Sequence, residues 1–101
     1  MPGGIVSGMA YTNGVVSVLT SGATVICKPG PGGCFVQNTG ANFVTIGGPG
    51  VTLNGGINLP ANMTSPLFIP TGVLAGSADA DDRLYGIAST ASVNVAFLVA
   101  A

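Results

Sequence analysis

From residue 92 to 99 the chain alternates: Val93, Val95, Phe97 and Val99 are large and apolar, while Ser92, Asn94 and Ala96 between them are small or polar. A period of two predicts a strand that turns one face to a core. Leu98 breaks the alternation, so the last residues are apolar on both faces, as in a strand covered on both sides or packed against a neighbouring subunit. Residues 83–88 predict another strand, entered from the turn Asp79-Ala80-Asp81-Asp82, and Ser89-Thr90 predicts a tight hairpin into the last strand. Upstream, residues 15–19, 23–28, 34–38 and 43–47 are Val-, Ile-, Thr- and Phe-rich runs separated by Ser21-Gly22, the Pro-Gly run 29–33 and Thr39-Gly40-Ala41, all turn chemistry. The pattern weakens between 48 and 70, where two shorter strands are predicted at 51–53 and 66–69.

Short strands at roughly 8–12-residue spacing, without helical periodicity, predict an all-β fold: a short-stranded β-sandwich or partly open barrel. Residues 1–13 carry no regular pattern and predict an extended N-terminal arm, leaving 14–101 as a single sandwich domain. A chain of 101 residues buries only about 60–68% of its unfolded surface, so neighbouring chains would add to its stability.

Charge sharpens this picture. Lys28 and Arg83 are the only basic residues and Asp79, Asp81 and Asp82 the only acidic ones, 5% in all, against about 25% in an ordinary soluble domain. With 48% hydrophobic residues and a net charge of −1, a lone subunit would tend to self-associate, which predicts a surface hidden in an assembly. Two cations cannot make the clustered footprint that neutralises phosphates, so nucleic acid is not an expected partner. Gly, Pro, Asn, Thr or Ser interrupts every long apolar stretch, so no membrane span is expected. The first 14 residues lack the basic and continuous apolar regions of a secretory signal, which predicts synthesis and first use in the cytoplasm.

Candidate chemistry is sparse. The chain has no His, hence neither the commonest general base nor the commonest metal ligand. A nucleophilic Ser or Cys would have only three Asp residues of one turn as bases, so no enzyme and no cofactor is expected. Asp79, Asp81 and Asp82 are spaced like oxygen ligands, but no Glu follows and Arg83 intervenes, so a solvated acidic turn is favoured over a metal site. An ion pair of Asp81 or Asp82 with Arg83, within the chain or between subunits, is the middle reading. Cys27 and Cys34 flank the 28–33 turn; paired as a hairpin, their strands would face the sulfurs towards each other and permit a disulfide, whereas cytosolic thiols usually stay reduced as small core hydrophobes. The Gly-rich turns at 29–33 and 45–50 lack the Gly-Lys-Ser/Thr ending and following helix of a phosphate loop.

Several segments together resemble small virion proteins of tailed bacteriophages. They are SGATVIC (21–27), CFVQNTG (34–40), FVTIGG (43–48), GVTLNGGINLPANMTSPLFIP (50–70) and LYGIASTASVNVAFLV (84–99), in that order. In the family, a Gln-Asn-x-Gly turn after a strand, a strand ending in Ile-Gly-Gly, a segment ending in Leu-Pro and a final Leu-Tyr-Gly-Ile run recur. The likeness covers about residues 22 to 99. It implies a β-sandwich decoration, or cement, protein attached to the outer surface of the phage head, made in the host bacterial cytoplasm, with the major capsid protein as partner and a homotrimer at three-fold positions. This chain departs from that family in its lower charge and in ending on Phe97-Leu98-Val99-Ala100-Ala101 where many relatives carry a charge.

On this reading the Gly-rich arm lies along the capsid or a neighbouring subunit, with contacts expected from Gly3, Gly4, Ile5, Val6, Met9 and Tyr11, and strand addition at an open sheet edge as one mode. The alternative is a tail or virion-surface module that binds host glycans, for which Tyr11 and Tyr85 offer the only rings with a polar handle.

Overall fold

The alternating segment at the C-terminus becomes the centre of a sheet. In the computed structural model, which describes residues 11–29, 32–70 and 83–100, eight strands form: β1 (Tyr11–Val18), β2 (Thr24–Cys27), β3 (Cys34–Asn38), β4 (Val44–Gly47), β5 (Ile57–Leu59), β6 (Leu67–Ile69), β7 (Leu84–Ala88) and β8 (Val93–Ala100). They pair antiparallel in two four-stranded sheets, A in the order β1-β8-β3-β6 and B in the order β2-β7-β4-β5. Strand β8 lies between β1 and β3, turning Val93, Val95, Phe97 and Val99 to the core and Asn94, Ala96 and Leu98 to the outer face.

The fold is therefore an all-β sandwich, and its strand order is that of a jelly roll, two interleaved Greek keys. Only β4 and β5 are both consecutive and paired; every other connection crosses from one sheet to the other. Local rules misread several of these crossings. Ser89-Thr90 is not a hairpin, because β7 belongs to sheet B and β8 to sheet A. The 28–33 segment likewise crosses from β2 in sheet B to β3 in sheet A rather than closing a hairpin. The expected strand at 51–53 is absent: Gly55 N–H donates to Thr52 O at 2.8 Å in a tight turn, and the strand forms at Ile57–Leu59 instead. Tyr11, Thr12 and Asn13 pair with Ala100, Val99 and Leu98, so the sandwich begins inside what the sequence marked as arm.

Alternate residues of both sheets meet in one core of Val18, Ile26, Cys27, Cys34, Val36, Val44, Ile46, Leu59, Leu84, Ala88, Val93 and Val95. Most are β-branched and suit a pleated surface. Gly14 lies directly across from Phe97, and a Cβ there would sit 3.0 Å from the ring, so the missing side chain is what lets Phe97 lie against β1. Two polar residues are fully buried, Thr45 on sheet B and Asn38 at the end of β3. Asn38 donates through Nδ2 to Asn42 O (2.9 Å) and Leu59 O (3.2 Å), and accepts at Oδ1 from Gly40 N–H (2.9 Å). Its main chain accepts from Met63 N–H at 2.9 Å. Gln37 Nε2 donates to Met63 O at 2.8 Å. The Gln-Asn-Thr-Gly turn is thus a latch between the end of β3 and the 60–66 connection.

Candidate interaction surface

The two outer faces of the sandwich differ. On sheet B, Thr45 lies between the inward residues Val44 and Ile46, so it points outward, yet it is fully buried. The β4–β5 loop covers it: Thr45 Oγ1 donates to Asn58 Oδ1 (2.6 Å) and accepts from Asn54 N–H (3.0 Å), while Asn58 Nδ2 donates to Asn54 Oδ1 (3.0 Å). Asn54 takes a left-handed backbone (φ 62°) to make this turn, a conformation asparagine tolerates better than most residues. Further along the same face the Arg83 guanidinium stands over the Tyr85 ring, 5.4 Å from its centroid, a cation–π contact.

Sheet A has no such cover among the described residues. Register sets Asn13, Leu98, Phe35 and Phe68 in one row across all four strands, and Val15, Ala96 and Gln37 in the next. Four of these are large apolar side chains that remain 38–63% exposed: Val15, Phe35, Phe68 and Leu98. The Phe35 and Phe68 rings pair at 5.1 Å between centroids, tilted by 55°, a favourable edge-biased geometry. Beside them an open groove of about 390 Å³ runs over Phe35, Gln37, Pro66, Ala96 and Leu98. Among the described residues the face carries no charge: Lys28 follows β2 and Arg83 precedes β7, both strands of sheet B. An exposed apolar patch of this kind marks an interaction surface.

The sequence-predicted site residues distribute unevenly. Tyr11 opens β1 on this outer face, 59% exposed. Gly3, Gly4, Ile5, Val6 and Met9 lie outside the described residues, as do Asp79, Asp81 and Asp82, so the arm contacts and the Asp–Arg83 pairing are not placed. Tyr11 and Tyr85 stand in different sheets and cannot form one platform for a sugar ring. Cys27 and Cys34 do come together, across the core rather than across a hairpin, with the Cys27 thiol donating to Cys34 Sγ at 3.7 Å. Burial pushes the Cys27 pKa up to about 12, with the neighbouring Cys34 adding to the rise. Burial also raises Cys34, against the lowering effect of that hydrogen bond. Both stay neutral thiols near pH 7, poor nucleophiles and poor metal ligands. Among the described residues no three His, Cys, Asp or Glu side chains group to hold a metal ion, and no helix is long and apolar enough to cross a membrane.

Sequence reasoning placed contacts in the arm and missed Val15, Phe35 and Phe68. The available signal was Leu98, the apolar residue that broke the alternation. Phe35 gave none, because its outward direction depends on where β3 pairs. No family model, curated protein or solved structure matches the chain.

Proposed function

We propose that this chain is a non-enzymatic structural protein of a phage virion, a decoration or cement protein held on the outer head surface by the exposed face of sheet A. The observation that carries the reading is the uncharged row Asn13-Leu98-Phe35-Phe68 with the groove beside it. The resemblance of residues 22–99 to phage decoration proteins and the jelly-roll strand order, a scaffold recurrent in capsid proteins as well as in lectins and cupins, support it; scaffold alone does not fix function.

Size decides how such a protein holds on. Four strands spaced about 4.8 Å apart and some five residues long give a flat area on the order of 300 Å², well under the roughly 800 Å² per partner of a standard stable interface. One such face binds weakly. Retention therefore requires several faces engaged at once, which a homo-oligomer on a symmetric shell provides through effective concentration; a trimer at three-fold positions, with the major capsid protein beneath, is the arrangement proposed. A shell strained by packaged DNA is reinforced by adhesion across capsomer boundaries without any chemical step.

Electron cryomicroscopy of the native head tests this. The reading requires copies on the outer surface in numbers set by the shell's symmetry, with sheet A turned to the capsid or to a neighbouring copy. A handful of copies at the tail, or none on the particle, would overturn it.

A further inference from the structure

The cysteine pair is assembled by two local features. In regular alternation Cys27 would point outward after inward-facing Ile26. A register shift in β2, where Val25 pairs with Tyr85 and Cys27 with Leu84, instead places both consecutive side chains in the core, the re-aiming that bulges produce. Cys34 begins β3 on the inward side of sheet A, held by pairing to Val99 and Ile69. Gly33 before it has φ +80°, and a Cβ there would sit 2.5 Å from Ile69 O, so the crossover enters β3 through a position where a side chain does not fit. Cys27 and Cys34 are 7% and 1% exposed, and their sulfurs are in van der Waals contact at 3.7 Å. A disulfide needs about 2.05 Å, so bond formation requires side-chain rotation and an approach of the two strand ends.

We propose that Cys27 and Cys34 form an oxidisable staple that joins sheet B to sheet A across the core. The oxidant is a small disulfide of the glutathione class. One cysteine loses its proton and its thiolate attacks the small disulfide, releasing one small thiol and leaving a mixed disulfide. The second cysteine then gives up its proton and attacks the protein sulfur, forming the Cys27–Cys34 bond and releasing the second small thiol. Two protein thiols are oxidised and one small disulfide is reduced to two thiols. Because both sulfurs are enclosed and protonated, closure is slow in the folded protein and fast during folding in an oxidising medium. The staple would lock the 28–33 crossover, and it stands apart from the docking role of sheet A.

The experiment is refolding of the full chain in a glutathione redox buffer and, in parallel, under reductant, followed by denaturing alkylation and intact mass. Oxidised material is expected to be monomeric on a non-reducing gel, to be lighter by two hydrogens, to take up no alkyl group, and to melt roughly 10 °C higher than the reduced form, with the gain removed by reductant. Cys34→Ala should show neither the internal bond nor the reversible gain; if that variant does not fold, the reductant-reversible shift of the unaltered protein decides. Two alkyl groups per chain after oxidative refolding, or disulfide-linked dimers in place of the internal bond, would overturn the proposal.

Discussion

Asn38 in sheet A donates from Nδ2 to the main-chain oxygen of Leu59 in sheet B, 3.2 Å away, and so ties the two layers together at one end of the core. Its other side-chain bonds go to Asn42 O and Gly40 N–H, so removing this fully buried amide takes a partner from three main-chain groups, of which Leu59 O is in the buried core. Asn38→Ala is expected to lower stability by about 2–4 kcal/mol. Urea unfolding followed by circular dichroism measures this, and a loss below about 1 kcal/mol would mean that water or a neighbour replaces the amide.

Gly14 and Phe97 are coupled by close approach. Gly14→Val should destabilise by about 1–3 kcal/mol because the new methyls meet the ring. With Phe97→Ala in the background the same substitution should become neutral or favourable, since a β-branched residue suits a strand better than glycine once the space is open. A double-mutant cycle from denaturation midpoints reads the change of sign.

The thiol of Cys27 predicts an alkaline limit. Its pKa rises from an ordinary 9.0 to about 12 on folding, so above pH 9 the unfolded chain releases a proton that the folded chain keeps. The stability this group contributes is complete below pH 9 and falls between pH 9 and 12, by at most about 1.4 kcal/mol per pH unit. Unfolding under reductant at pH 8 and pH 10.5 should show a steeper loss in the unaltered protein than in Cys27→Ala; equal slopes would show that the thiol does not titrate this way.

The strands were more legible than their partners. The alternation in 92–99 located β8, and turn residues around 34–38 and 43–47 bounded β3 and β4 nearly to the residue. Val51-Thr52-Leu53 has β propensity but is consumed by the Thr52–Gly55 turn, whereas Ile57–Leu59, squeezed between Gly-Gly and Pro60, is too short to stand out. Residues 89–92 between β7 and β8 carry the chemistry of a hairpin, and nothing local separates a hairpin from an arch between sheets; that choice rests on Ala88 and Val93 both turning into the core. The outer face of sheet A was least legible, since the outward direction of Phe35 and Phe68 follows from pairing between segments more than thirty residues apart. Asn38 is the last residue of the predicted strand 34–38, and its burial depends on Leu59, from the other sheet.

Attachment through the outer face of sheet A is tested most directly by Leu98→Lys, at the centre of that face. Leu98 is partly exposed, so the substitution should leave the melting temperature within a few degrees. A charge placed there must be desolvated on docking. Phage heads purified on a density gradient are expected to retain this variant at least tenfold less than the unaltered protein, while Val25→Thr on sheet B is retained normally. Equal retention of Leu98→Lys would contradict the claim that this face holds the protein to its particle.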